Sequence, residues 1–231
     1  FRKADVREID IPTARAIILD YEWLGTMPAI VRHCFGIFFE GNLAGAVVYS
    51  PEYSENLGVW ERYGYAGKMI LLSRGACVHW AHPHAASKLI RASMRLLPGH
   101  YDVVTATVDA NANEIGTIYQ ACGFDYVGLM SKGGKRVSYK IGDVRKSARQ
   151  AKRDFGSRGE RELERLGVGG IETHDRIHRY FAFRGPPSVQ RRNRRAIAHK
   201  IKPFPKRAAR PDDAPAPTGV SQVQPLGAAP Q

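Results

Sequence analysis

Three residues stand where their type and spacing could do chemistry. Arg74 follows the apolar run Met69–Leu72, Asp109 ends the apolar run Val103–Val108, and Tyr119 precedes a Gly123-Phe124 pair. A guanidinium beside a buried strand is costly unless it is paired or holds a ligand. Asp109 can accept a proton, or it can cap a following helix. Glu22-Trp23 sets a carboxylate beside a flat ring, although Trp23 can equally close a helix onto a core. Ser73 and Ser87 offer hydroxyls, and Ser87 can also serve only the first turn of its own helix. His79, His82 and His84 cluster ahead of a helix that carries Ser87 and Lys88. Such a cluster suits a metal, or an anion held at a helix N-terminus. Trp60, Tyr63 and Tyr65 can stack on a planar group or pack among themselves.

The elements that must position these residues follow from periodicity and punctuation. Residues 13–24 carry apolar positions at helical spacing, closed by Gly25 and Pro28. Cys34–Phe39 and Leu43–Tyr49 flank Glu40-Gly41-Asn42, a hairpin pattern. Met69–Val78 reads as a buried strand, His84–Leu97 as a helix stopped by Pro98-Gly99, and Val103–Val108 as a second buried strand. Ala112–Cys122 reads as a helix ended by Gly123. Phe124–Met130 and Lys135–Ile141 read as a last hairpin around Gly133-Gly134, and Ser147–Leu166 as a charged helix. Pro51–Tyr65 reads as irregular or as a short helix followed by a loop, His178–Arg184 as a short aromatic strand or docking segment, and Arg191–Lys200 as a basic helix. Arg74, Asp109 and the histidine loop then fall at strand-to-helix junctions, where open sheets place ligands.

Charge is segregated. Residues 145–210 hold 20 Lys and Arg against 6 Asp and Glu, while the rest of the chain holds 15 against 16. A basic appendage on a near-neutral body points to a polyanion, nucleic acid above all, or to a merely solubilising segment. No run of about 18 apolar residues is present, so no membrane span is expected. No signal-peptide pattern is visible. Cys34, Cys77 and Cys122 are widely spaced in apolar surroundings and read as reduced core residues of a cytoplasmic protein. The expected organisation is a catalytic core over 1–143, a basic extension over 144–207 that packs on the core or contacts DNA, and a disordered Pro/Ala-rich tail over 208–231.

The run from Asn113 to Gly128 resembles the closing helix and strand of GNAT acyltransferases. A wider set of pieces resembles the phage Mom family: Tyr21–Pro28, Leu72-Ser73-Arg74, the helix start at His82–Ile90, Val108-Asp109, Gly116–Ala121, and the later segments His178–Arg184 and Ile201–Arg207. The resemblance spans roughly residues 15–207. It implies an α/β (α+β) GNAT-like fold, a mixed central sheet flanked by helices with a basic C-terminal extension. It also implies a DNA-modifying transferase that forms N6-carbamoylmethyl-adenine and protects phage DNA from restriction in the bacterial cytoplasm.

On that resemblance Asp109, Tyr119, Arg74 and Glu22 are the catalytic candidates. In GNAT enzymes the equivalent tyrosine often protonates the leaving thiolate. Trp23, Ser73, Ser87, Trp60, Tyr63 and Tyr65 would line the base pocket. His82, His84, Ser87 and Lys88 would hold the donor. Arg179, Arg191, Arg192, Arg194, Arg195, Lys202 and Lys206 would hold double-stranded DNA with its adenine flipped out. Two departures matter. The family often has His-Tyr where this chain has Glu22-Trp23; glutamate can ligate iron, so Glu22, Asp109 and Tyr119 form a candidate iron set. The glycine-rich loop that cradles CoA is replaced by His79–Ser87, so the donor is acetyl-CoA or another acyl or aminoacyl compound. A protomer acting alone and a homodimer are both open. The alternatives are a GNAT N-acetyltransferase acting on a protein or small-molecule amine, and a non-enzymatic nucleic-acid-binding protein.

Overall fold

In the computed structural model the described residues are 4–52, 60–109, 114–130, 136–141, 144–147, 152, 154–156, 160–167, 171–174 and 177–206. β1 (Asp5–Glu8) leads into α1 (Ile11–Tyr21), whose first turn is capped by Asp10 accepting from the Thr13 amide at 2.8 Å. β2 (His33–Phe39) and β3 (Asn42–Pro51) pair antiparallel. Glu40 and Gly41 both take positive φ, as a two-residue hairpin turn requires. β3 is buried from Ala44 to Ser50, and α1 packs on β3 and β4.

β4 (Met69–Cys77) and β5 (Val103–Asp109) are joined by α2 (Ala85–Leu96). They pair in parallel only over Met69–Leu72 and Val103–Ala106. Beyond that point β4 continues along β3 as far as Cys77, while β5 continues along a different neighbour as far as Asp109. The two strands therefore splay apart at their carboxyl ends. After β5 come α3 (Thr117–Ala121) and β6 (Asp125–Met130). β7 (Arg136–Ile141), β8 (Val144–Ser147) and β9 (Ile171–His174) form a separate three-stranded sheet, with α4 (Glu160–Arg165) between β8 and β9. β10 (Ile177–Phe183) and α5 (Pro187–Ala196) close the described chain, with a 3₁₀ turn at Ala198–Lys200. The main sheet runs β1-β2-β3-β4-β5-β10-β6. This mixed sheet flanked by helices is the α/β (α+β) architecture expected.

Several expectations are corrected. β6 pairs with β10 and β7 pairs with β8 and β9, so no hairpin joins β6 to β7. The boundary placed at residue 143 does not divide core from appendage, because β10 lies between β5 and β6 in the main sheet. The helix expected from Ala112 is only Thr117–Ala121, started by Gly116 at φ 61°; residues 112 and 113 lie outside the described set. Of the charged helix expected over Ser147–Leu166, Lys152, Asp154, Phe155 and Glu160–Arg165 are helical among the described residues, with Gly156 outside the helix. Gly133-Gly134 and the 208–231 tail also lie outside the described residues. Among the described residues no helix is long and apolar enough to cross a membrane.

β10 brings polar side chains into the core. Arg179 is 1% exposed and donates to Glu52, itself buried, at 3.2 Å. Thr105 donates to the other oxygen of the same carboxylate. Arg179 also lies over the Trp60 ring. Arg179, expected to touch DNA, is thus a core residue. Just beyond β10, Arg184 donates to the carbonyls of Leu97, Pro98 and Tyr101, satisfying the orphan end of α2. Removing one partner of a buried ion pair leaves the other charge stranded. Arg179→Ala should therefore cost about 3–5 kcal/mol of stability in urea denaturation; a loss below about 1 kcal/mol would contradict this placement.

Candidate active site at the splayed strands

The diverging ends of β4 and β5 leave an opening, as expected where neighbouring strands part in an open sheet. Arg74 stands on β4 just past the last paired residue. Its Nε donates to the Thr26 carbonyl at 2.7 Å, Nη1 to the Ser73 carbonyl at 2.6 Å and Nη2 to the Thr26 hydroxyl at 3.2 Å. Arg74 therefore pins the loop that follows α1. Glu22 begins that loop, its backbone N–H still bonded to the Ile18 carbonyl.

The Glu22 carboxylate lies 3.5 Å from Arg74 Nε, and its Oε2 is buried with no hydrogen bond among the described residues. Burial pushes its pKa up to about 7; Arg74 draws it back, and nearby Glu114 adds to the rise. Three of the five N–H bonds of the guanidinium go to Thr26 and Ser73 and none is a hydrogen bond to Glu22, so burial outweighs the attraction of the cation. A carboxyl of that kind can give or take a proton near neutral pH.

Glu114 is the residue that sequence reading missed. It lies in the loop between β5 and α3, where its carboxyl accepts from the Trp23 side chain and the Asp109 backbone. Burial, with the Asp109 charge beside it, raises its pKa. The available signal was an acidic residue two positions before a glycine in a strand-to-helix loop, Glu114-Ile115-Gly116. Tyr119 on α3 is buried and packs against Phe124 and Tyr180 at 5.3 and 5.4 Å between ring centroids. Burial first, then the charges of Glu114 and Glu22 among others, holds its hydroxyl proton well above the usual phenol range.

The opening thus gathers Glu22, Trp23, Arg74, Asp109, Glu114 and Tyr119. Asp109 is not the cap of α3, since Gly116 occupies that position. Trp23 is half exposed and supplies the accessible ring at the mouth. Ser73 bonds Ser50 and the Val48 carbonyl, a role within the sheet. Ser87 donates to the His84 carbonyl, the local bond anticipated as its alternative. His82 and His84 are exposed before α2, with the His84 amide donating to His82 Nδ1 at 3.1 Å; Lys88 is half-buried on α2. Trp60 and Tyr65 are core residues packed with Phe181, Phe183 and Tyr63, so they do not present stacking platforms. Among the described residues no group of three or more His, Cys, Asp or Glu side chains is placed to hold a metal. Nothing among the described residues supports the candidate iron set, and iron is given no role.

The sequence profile of the Mom protein family matches residues 3–206. The chain belongs to the Mom family. A search of curated protein sequences finds no match. Solved structures similar to this chain include an IAA acetyltransferase from Bacillus cereus (13% identity, 79% of this chain and 100% of that one, TM-score 0.44). A polyamine N-acetyltransferase from Drosophila melanogaster aligns at 12% identity over 79% and 100% of the two chains, TM-score 0.43. A GNAT family acetyltransferase from Elizabethkingia anophelis with acetyl-CoA bound aligns at 8% identity over 80% and 100%, TM-score 0.46.

Two outcomes test the geometry. The Glu22 carboxyl holds its proton more tightly folded, near pH 7, than its ordinary value of 4.5. Its contribution to stability is therefore full below that ordinary value and is lost as pH rises through about 7. Glu22→Gln should remove this decline, so its stability gains on wild type across that interval in urea titrations; parallel curves would contradict the burial. Gly116 has positive φ, and a Cβ there would lie 2.6 Å from the Tyr180 ring. Gly116→Ala should cost roughly 2 kcal/mol or more in thermal unfolding; an unchanged melting temperature would refute the close approach.

Proposed function

We propose that this chain is a DNA-modifying transferase that places a carbamoylmethyl (acetamido-type) group on the N6 amine of adenine, protecting phage DNA from host restriction. The carrying observation is Glu22, held near neutral pKa in an opening it shares with Asp109, Glu114 and Tyr119. The adenine amine is a weak nucleophile because its lone pair is delocalised into the ring. Attack from it needs a proton acceptor and a donor for the leaving group. Ionised Glu22 serves as acceptor, Asp109 holds the amine hydrogens, and Tyr119, whose proton burial keeps in place, donates to the leaving group. Trp23 at the mouth offers a face on which a flipped base stacks; flipping itself costs a few kcal/mol.

The donor is of the acyl or aminoacyl class; acetyl-CoA would leave N6-acetyladenine with free CoA as leaving group, whereas a carbamoylmethyl product needs a donor that also supplies the amide nitrogen, such as an aminoacyl compound. Its anionic part would sit at the start of α2 near His82, His84, Ser87 and Lys88, where a helix N-terminus favours negative charge. The setting is the bacterial cytoplasm, with the chain acting alone or as a homodimer. Mass spectrometry of nucleosides from cells expressing the chain tests this reading. A deoxyadenosine carrying the added mass is expected, and it should disappear in Asp109→Ala and fall at least tenfold in Tyr119→Phe. Only unmodified deoxyadenosine, with folded protein present, would overturn it. Acetylated protein or small amines instead would favour the N-acetyltransferase reading.

A further inference from the structure

The basic helix α5 is far from the splayed opening. Lys68 immediately precedes β4, and Asp125, bound by Arg194 through two contacts of 2.7 and 2.8 Å, opens β6. Lys68 marks the edge where β4 and β5 begin, and Asp125 lies two residues in from it, level with Thr105, whereas Asp109 ends β5. Strand rise puts about 20 Å between the two ends of β5 and about 13 Å between the levels of Asp125 and Asp109. At the far edge Tyr63, Gly64, Lys68, Arg192, Asn193 and Ala196 line a cleft of about 240 Å³. That is smaller than the roughly 300–1,000 Å³ of sites for drug-sized ligands, but it suits a single tetrahedral anion.

The lining is built for negative charge. Arg192 is exposed and Lys68 half-buried, and neither has an acidic partner among the described residues. Lys200 Nζ sits 5.8 Å from the centre of the Tyr63 ring, and His199 Nε2 lies 3.5 Å from the Tyr63 hydroxyl. Asn193 is 4% exposed, and its Nδ2 donor is buried without an acceptor among the described residues. Its position is fixed from behind, because its backbone carbonyl accepts from the Tyr65 hydroxyl at 2.6 Å. Beyond the cleft, Arg191 and Arg195 lie exposed one helical turn apart on α5, and Lys202 and Lys206 follow. A single small anion would use the cleft alone; further exposed cations on the same helix match a polymer of repeated charges.

We propose that the Tyr63–Lys68–Arg192–Asn193 cleft binds a backbone phosphate of nucleic acid, a second contact remote from the opening where the base would react. The choice of nucleic acid over other polyanions rests in part on the function proposed above; the Tyr63 ring beside the cleft adds a surface for a sugar or base. Phosphate contacts of this sort position the duplex without reading its sequence.

Fluorescence anisotropy with a short labelled duplex tests the site in the full chain, independently of any turnover. Lys68→Ala/Arg192→Ala should weaken binding about tenfold near 0.1 M salt and flatten the slope of log K against log salt by about two. Arg192→Glu, at an exposed position that leaves the fold intact by circular dichroism, should weaken it comparably. Unchanged affinity and slope in both variants would overturn the proposal, and so would a poly-glutamate peptide competing as well as unlabelled duplex. Loss of DNA binding in these variants with no modified nucleoside in cells would leave the cleft standing and remove the transferase reading. Modified nucleoside with unaltered DNA affinity would do the reverse.

Discussion

The return of the chain as β10, between β5 and β6, is the constraint on which the rest of the structure depends. Through it the segment after residue 176 becomes part of the core. Tyr180 presses on Gly116 and donates to the Ile115 carbonyl at 2.6 Å, fixing the loop that carries Glu114 and the helix that carries Tyr119. Arg179 joins the buried Glu52 and Thr105. Arg184 collects the carbonyls at the end of α2. His178 bonds the Tyr126 hydroxyl at 2.8 Å. One strand thus fixes the β5 side of the opening, and its own pairing with β5 holds Asp109 at the rim.

A second constraint is the division of labour at Arg74. Three guanidinium N–H bonds go to Thr26 and Ser73, which ties the loop after α1 to β4. Glu22 is brought into the opening by that tie yet left without a bonded cation, and its proton affinity rises as a result. Arg74 is best described as a positioning residue that also tempers the acidity of its neighbour. The departure of this chain from the family's His-Tyr pair then has a physical reading. A glutamate with a pKa near 7 titrates in the range where an unperturbed histidine would.

Much of this was legible in the sequence. The hairpin around Glu40-Gly41, the strand leading to Arg74 and the strand ending at Asp109 all follow from local patterns. The places where local reading failed share one cause, which is long-range pairing. HRYFAFR is an aromatic segment inside a basic stretch, and nothing local says that Arg179 meets Glu52, 127 residues away in sequence. The same holds for Trp60 and Tyr65, whose rings are claimed by Phe181 and Phe183 of the returning strand. Glu114 was hidden for a different reason: its partners Trp23 and Asp109 come from two other elements, so no spacing reveals them.

The account stands most directly on the protonation state of Glu22. Carbon-13 NMR of chain labelled at the glutamate carboxyl carbons, with the Glu22 signal assigned by its loss in Glu22→Gln, measures that state without any substrate. A titration midpoint near 7, moving upward when Arg74 is replaced by methionine, is the predicted result. A Glu22 signal titrating at the ordinary 4.5 would contradict the account, because the opening would then hold a permanently ionised carboxylate and no proton acceptor tuned to neutral pH.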